Sequence, residues 1–331
     1  MPVAETTPLP PLCVTRAAVG AVQRLSPNFV RITFTGAGLT GFGNPGATFD
    51  QRMKLIFPPA AGELPELSDS DTWYQDWLAI PEDRRGAMRT YSIRDLRIDD
   101  GGATEFDVDF VLHLAPDKTG PASSWAAAAA VGDELLIVGP RRGRLDGGGV
   151  EYMPGAAERV LLAGDETAAP AIARILEDAP ADLAGAAYIE IPEPDDALPI
   201  DAPEGVAVHW LPREGAGQGV RLHAAVLGHL GESAGDLDGA VAVDAPDTDA
   251  LVWETPTFSG LGEEIHAGSG HDGTGHDETG RDGRAAQAYY WIAGESRVVT
   301  TLRRRLVKDL GIPRAQVAFM GYWREGVAMK G

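Results

Sequence analysis

The sequence predicts two domains: an N-terminal antiparallel Greek-key β-barrel and a C-terminal α/β, Rossmann-like domain built on a parallel sheet. Three observations lead there. The 331 residues fit about two domains at ~150 residues each. From Val14 to about Val138, short apolar–polar alternations recur with few helical patterns between them, as in a small barrel. Beyond residue 155, apolar runs alternate with helix-period segments, as in βαβ units.

Residues 1–12, MPVAETTPLPPL, are Pro-rich and read as a flexible tail; they show no basic region followed by an apolar stretch, so no secretory leader is expected. Domain one is expected over 13–150. AVQRLSPNFVRITFTG alternates around a Ser-Pro-Asn turn and predicts a hairpin. RMKLIFP, TYSIRDL, EFDVDFVLHL and GDELLIVGP add strands, and Thr72–Ile80 and Ser123–Ala130 read as helices. The Gly-rich stretch Gly147–Gly155 reads as the linker. In domain two, over 155–331, RVLLAG, AAYIEIP, GVAVHWLP, AYYWIAG and AQVAFMGYW are strands. ETAAPAIARILEDA and SRVVTTLRRRLVKDLG are helices. Residues 266–284 carry a loose repeat (GHDGT, GHDET, GRDGR) that cannot supply a core and reads as a mobile insertion. Weak metal binding by His266, His271 and His276 with Asp272 and Asp277 is the lesser alternative.

Charge narrows the function. With 28 Lys+Arg against 49 Asp+Glu the net charge is −21, which argues against nucleic acid or anionic membrane as partner. Residues 281–331 run against this trend, with ten Lys/Arg and four Asp/Glu. Cys13 is the only cysteine, so no intrachain disulfide, Cys-ligated iron–sulfur cluster or Cys-based zinc site can form. No apolar run reaches ~18 residues. A cytoplasmic protein without a bound metal, nucleic acid or membrane contact is expected.

The informative stretch is MRTYSIRDL, carrying Arg89, Thr90, Tyr91, Ser92 and Arg94. On a strand, Arg89 and Tyr91 share one face and Thr90 and Ser92 the other. Alone this describes an ordinary exposed strand as well as a ligand site. Its context is a series of blocks: EFDVDFVLH, GPASSWA, GDELLIVGPRRG, LLAGDETAAPAIARIL, WIAGE and GYWREG. In this order they resemble the siderophore-interacting proteins, the flavin-dependent ferric-siderophore reductases related to ferredoxin–NADP reductase. The resemblance spans about residues 14–328 apart from the insertion.

That resemblance implies an FAD site in the first domain. Arg89 would pair with the pyrophosphate, because a guanidinium fork matches phosphate oxygens. Tyr91 would lie against the isoalloxazine, and Ser92 would donate to its reactive edge, making these two the catalytic pair. Thr90, Asp109, Val111 and His113 would line the cofactor. Gly120, Ala122 and Ser123 would offer amides at a helix N-terminus. Asp109 also reads as a plain strand carboxylate, His113 as a surface histidine, and Trp125 as a core residue before an adenine platform. In the second domain Gly164 permits a tight turn, and Asp165 and Thr167 are cap-type residues at a candidate dinucleotide site. Gly294, Glu295 and Trp323 mark two further strand ends where the nicotinamide nucleotide, NADPH or NADH, is expected. Trp323 reads equally as a packing aromatic. Arg297 near the WIAGE turn would suit a 2′-phosphate.

For the ferric siderophore, Lys54 matches a lysine that the family carries in an HVKL-type strand, with Arg52 on the same face. The usual histidine is absent, and Ser124 stands where relatives often carry a basic residue. Arg303, Arg304 and Arg305 read as a solvated helix face, with Arg304 a candidate chelate contact. The implied reaction moves electrons from NAD(P)H through FAD to iron(III), releasing Fe(II) in the cytoplasm, in a protein expected to be a monomer. A related flavin oxidoreductase with another acceptor (redox protein, quinone or oxygen), or with a ferredoxin donor, is the alternative. A chelate-binding protein without electron transfer is a third reading.

Overall fold

The computed structural model describes residues 9–60, 62–114, 119–232, 251–256, 258–259 and 288–326. The insertion at 266–284, with its histidines, lies outside the described residues. The chain divides into two compact units, one up to Val150 and one from Glu151 onward.

The first unit is a seven-stranded antiparallel sheet. Its strands are β1 (Leu12–Arg24), β2 (Phe29–Thr35), β3 (Arg52–Phe57), β4 (Ala87–Ser92), β5 (Asp95–Ile98), β6 (Thr104–Val111) and β7 (Glu134–Pro140). The spatial order is β4-β3-β7-β1-β2-β6-β5. β1 joins the halves: its first part pairs with β7 and its second part, from Ala18 on and across a register shift at Val19/Ala21, with β2. The sheet has two ends rather than the closed ring of hydrogen bonds that a full barrel would show. Yet only Ile93 and Arg94 separate the two edge strands. Six spacings of ~4.8 Å would put the edges of a flat sheet ~29 Å apart. Three peptide links reach at most ~11 Å. The sheet must therefore roll up, and Ile93 at the corner is fully buried.

The concave face holds an aromatic core: Phe34, Phe42, Phe57, Phe106 and Phe110 with Ile32, Leu55 and Ile137. Helix α2 (Pro121–Ala128) packs over it against β2, β3, β4 and β6. On the convex face, helix α1 (Trp73–Ala79) sets Trp77 over Ile56, Met88, Leu136 and Val138.

The second unit has strands β8 (Arg159–Gly164), β9 (Ala184–Ile191), β10 (Gly205–Pro212), β11 (Trp253–Thr255), β12 (Phe258–Ser259), β13 (Ala288–Glu295) and β14 (Val317–Trp323). Helices α3 (Ala169–Asp178), α4 (Val220–His229) and α5 (Ser296–Arg303) lie between them. The order is β10-β9-β8-β13-β14-β11-β12. The first five strands are parallel, as the alternating pattern predicts. The sheet as a whole is mixed, because β11 pairs antiparallel with β14 and forms a hairpin with β12. That hairpin covers an edge that would otherwise expose the peptide groups of β14. Its strands are too short, at three and two residues, to show a period in the sequence.

The helix predicted over 296–311 is α-helical only to Arg303 and continues as a π turn over Arg304–Asp309. The three arginines therefore part company. Arg303 is buried and pairs with Glu254 of β11. Arg305 pairs with Glu232 and Asp309, both at 3.2 Å, and Arg304 is exposed. A solvated three-arginine face is thus corrected to one structural cation, one paired cation and one exposed cation. Breaking a buried pair by removing one partner costs about 3–5 kcal/mol, so Arg303→Leu is expected to lower the urea midpoint of the second unit sharply. The double variant Arg303→Leu/Glu254→Leu should recover much of that loss.

Candidate functional site

Two clusters emerge, one in each unit. In the first, β4 is an edge strand, paired only with β3. The register sets Arg52 opposite Ser92, Met53 opposite Tyr91, Lys54 opposite Thr90 and Leu55 opposite Arg89. Met53 and Leu55 belong to the concave core, so Arg89 and Tyr91 share that face. Tyr91 meets Phe110 of β6 with ring centroids 4.6 Å apart, and burial pushes its phenol above the ordinary range. Arg89 is half-buried, and its guanidinium donates to the Met88 carbonyl at 2.7 Å. Among the described residues it has no carboxylate partner.

Helix α2 opens beside this pair. Gly120 is its N-cap, no side chain caps it, and Pro121 occupies the first turn. Its leading amides are thus open to an anion. Ser123 points the other way: its Oγ donates to the Val111 carbonyl at 3.1 Å and accepts from the His113 amide at 3.4 Å, tying α2 to the end of β6. Arg89 and Tyr91 thus lie on the concave face under α2, which Gly120 opens and in which Ala122 is buried against the same core, while Val111, on Asp109's side of β6, and His113 join them through the backbone groups that Ser123 bonds. Trp125 stacks near Phe34 (6.3 Å) and meets Phe57 edge-on (5.3 Å), so it is a core aromatic of that face.

Asp109 goes elsewhere. On β6 it alternates onto the convex face, where it is 4% exposed and takes a bidentate bond from Arg31 at 2.7 and 2.8 Å. Arg94 lies 3.6 Å away. Asp107 beside it receives Arg97 at 2.9 Å and Thr33 at 2.7 Å. This ion network across β2, β6 and β5 is absent from the sequence reading. The alternation in FVRITF and EFDVDF, which puts Arg31, Thr33, Asp107 and Asp109 on one face, was the signal available for it.

Lys54 and Arg52 also face outward, on the stretch of the convex face beyond the residues that α1 covers. Lys54 Nζ donates to Thr90 Oγ1 at 2.7 Å. Burial, and then the neighbouring Arg52, push its ammonium pKa down.

The second cluster lies at the carboxyl ends of β8, β13 and β14. The strand order reverses between β8 and β13, which makes this the sheet's switch point. Asp165 follows β8 and is buried. Its Oδ1 accepts from Thr167 N (2.9 Å) and Thr167 Oγ1 (2.5 Å). Its Oδ2 accepts from Glu295 N (2.7 Å), Trp323 Nε1 (2.8 Å) and Gln218 Nε2 (3.3 Å). Burial, and then Glu166, push its carboxyl up to about 6. Gly294 is at φ 140°, and a Cβ there would sit 2.7 Å from the Asp165 carboxylate. The close approach that its missing side chain permits is that of Asp165. Glu295 is the N-cap of α5, accepting from Arg297 N and Val298 N at 2.7 and 3.0 Å. Asp165, Thr167, Gly294, Glu295 and Trp323 thus form one connected knot.

Glu166 and Arg213, not singled out in the sequence, make a bidentate pair at 2.7 and 2.9 Å. Glu190 lies 3.6 Å from the same guanidinium and accepts from the amides of Gly219 and Leu222 that open α4. Arg297 is exposed on the first turn of α5.

Comparison with known proteins agrees with this two-unit plan. A solved ferredoxin NADP+ reductase from Neisseria gonorrhoeae with bound FAD and NADP matches at a TM-score of 0.53 and 11% identity, covering 94% of this chain and 99% of that one; it shares the fold. A siderophore utilization protein from T. fusca matches at 0.63 and 27% identity, covering 98% and 97%. The fold is therefore the two-domain one that these proteins share. Within it, the siderophore-interacting FAD-binding domain model matches residues 18–144 and the siderophore-interacting protein model residues 157–326. The chain belongs to the siderophore-interacting protein family.

Among relatives, the ferric vibriobactin reductase of Vibrio cholerae is 31% identical over 190 residues, 57% of this chain and 63% of that protein. An uncharacterized protein of Mycobacterium tuberculosis is 36% identical over 200 residues, 60% and 64%. The NADPH-dependent ferric-chelate reductase of Escherichia coli is 34% identical over 157 residues, 47% and 53%. The match spans less than two thirds of each of these relatives. Among the described residues no helix is long and apolar enough to cross a membrane.

The ion network makes a prediction about Asp109. Asp109→Asn removes the carboxylate that Arg31 holds bidentately and Arg94 approaches, and is expected to destabilise the first unit by about 2–3 kcal/mol in urea unfolding. The folded fraction should bind FAD with unchanged affinity, as measured by flavin fluorescence titration.

Proposed function

We propose that this chain is a flavin-dependent ferric-siderophore reductase that draws electrons from a nicotinamide nucleotide. The observation that carries the reading is Arg89. A half-buried guanidinium without a carboxylate partner, in a chain of net charge −21, is arranged for an anion that the protein itself does not supply. The N-terminus of α2 beside it offers amides to the same anion, and Tyr91 offers a ring. A dinucleotide with a pyrophosphate and a flat, apolar head fits this set.

FAD bound there would accept two electrons at once and release them singly, which bridges a hydride donor and iron(III). Arg89 and the α2 amides would hold its phosphates. Tyr91, kept neutral by burial, would flank the isoalloxazine. Because β4 is an edge strand, residues from both of its faces can border one ligand lying along it, which would let Ser92 and Thr90 contribute as well. Lys54, with Arg52, would receive an anionic ferric chelate on the convex side, where cations raise the encounter rate in an otherwise acidic chain.

The donor nucleotide would bind at the switch-point edge of the second sheet. We take NADH as the preferred donor: Arg213 is already paired with Glu166 and lies 3.6 Å from Glu190, and the turn after β9 exposes Glu193 and Asp195, acids that oppose a 2′-phosphate against the exposed Arg297 on the first turn of α5. Reduced iron would leave its chelate in the cytoplasm.

The test is steady-state reduction of a ferric siderophore with an Fe(II)-trapping dye, in protein loaded with FAD. Activity with NADH should exceed that with NADPH by about tenfold in kcat/KM, and Arg89→Ala should weaken FAD binding by about tenfold or more. Flavin binding without reduction of any ferric chelate, together with rapid turnover of a quinone or oxygen, would move the assignment to a different flavin oxidoreductase.

A further inference from the structure

Asp165, expected in the sequence as a cap-type residue of a dinucleotide site, spends both carboxylate oxygens on the chain itself. Its donors come from four separate places in the second unit: Thr167 on the turn into α3, Gln218 before α4, Glu295 at the end of β13 and Trp323 at the end of β14. All of these groups point an N–H or O–H at the carboxylate. An ionised carboxylate only accepts, so the geometry suits the charged form. A proton on Oδ2 would face the N–H groups of Glu295, Trp323 and Gln218 and displace them.

We propose that Asp165 is a positioning residue of the donor site: its carboxylate fixes the Trp323 indole to the β13–α5 turn, and protonation of that carboxylate lets the indole go. Gly294 supports this, since any side chain there would fill the space the carboxylate uses. Trp323 is half-exposed at the carboxyl edge, where a planar ring can stack on it. The link to nucleotide binding rests on the function proposed above; the link between Asp165 and the indole does not.

The charged surroundings set the working range. Glu166 disfavours a second negative charge. Arg213 attracts it, but is paired with Glu166. The Glu295 carboxylate is turned to the amides of α5, and Gln218 and Trp323 are neutral. No Lys or Arg among the described residues donates directly to Asp165, which titrates near pH 6. Because its folded pKa lies above its ordinary value, this group stabilises the fold as pH falls from about 6 towards 4. Release of the indole is therefore expected in folded protein, apart from acid denaturation.

The test is ¹⁵N NMR of the full chain labelled at tryptophan, with the Trp323 Nε1–H resonance assigned through Trp323→Phe. In wild type this resonance should shift with a midpoint near pH 6. Glu166→Gln should move the midpoint lower, and Asp165→Asn should displace the resonance and abolish its titration. NADH affinity, measured by calorimetry, should fall about fivefold between pH 7.5 and 5.5 in wild type and stay low and flat in Asp165→Asn. An indole resonance that does not titrate between pH 5 and 8, or an Asp165→Asn protein with unchanged indole shift and NADH affinity, overturns the proposal. Should Asp165→Asn fail to fold, the wild-type and Glu166→Gln titrations decide it. If wild type binds no NADH while the indole still titrates, the donor-site reading falls and the Asp165–Trp323 latch stands.

Discussion

Two residues at a corner govern the first unit. Ile93 and Arg94 connect strands at opposite ends of a seven-stranded sheet, and a link so short leaves the sheet no option but to curl. Curling gives it a concave face that five phenylalanines fill and α2 covers. It also leaves β4 as an edge, with Tyr91 and Arg89 directed under α2 and Thr90 and Lys54 directed away from it. The residues proposed for the flavin and those proposed for the chelate therefore lie on the two faces of one strand pair.

The second constraint is charge. A chain with so many carboxylates must neutralise the buried ones, and it does so with its arginines: Arg31 and Arg94 at Asp109, Arg97 at Asp107, Arg213 at Glu166, and Arg303 at Glu254. Asp165 and Glu295 are treated differently, since uncharged hydrogen-bond donors hold them. Set against this, Arg89 and Lys54 are half-buried cations that meet no acid among the described residues, and unlike Arg142, whose guanidinium bonds several carbonyls and a hydroxyl, and Arg85, which lies over the Trp77 ring, each makes a single hydrogen bond there. In an acidic protein such cations are the informative residues.

Much of this was legible in the sequence, because period-two alternation and βαβ spacing depend on local patterns. The core strands of both sheets follow from them, and so does the separation of Arg89 and Tyr91 from Thr90 and Ser92. Contacts made over long sequence distances were not legible. Nothing in GDET shows that Asp165 would receive the indole of Trp323, 158 residues later. Nothing in a run of three arginines shows that the first turns inward to Glu254 while the helix widens behind it. Gly294 illustrates the limit well. The sequence marks a strand end there at which a nucleotide is expected, and only the fold shows that the group lying against the glycine is a carboxylate of the same chain.

The central claim is that one chain takes electrons from a nicotinamide nucleotide and delivers them, through FAD held by Arg89 and Tyr91, to chelated iron(III). Anaerobic stopped-flow absorbance of the FAD-loaded protein tests it most directly. The account predicts that the yellow flavin band bleaches on mixing with NADH and returns on a second mixing with ferric siderophore. A protein that takes up no FAD, or whose bleached flavin stays bleached when ferric siderophores are added, would contradict it.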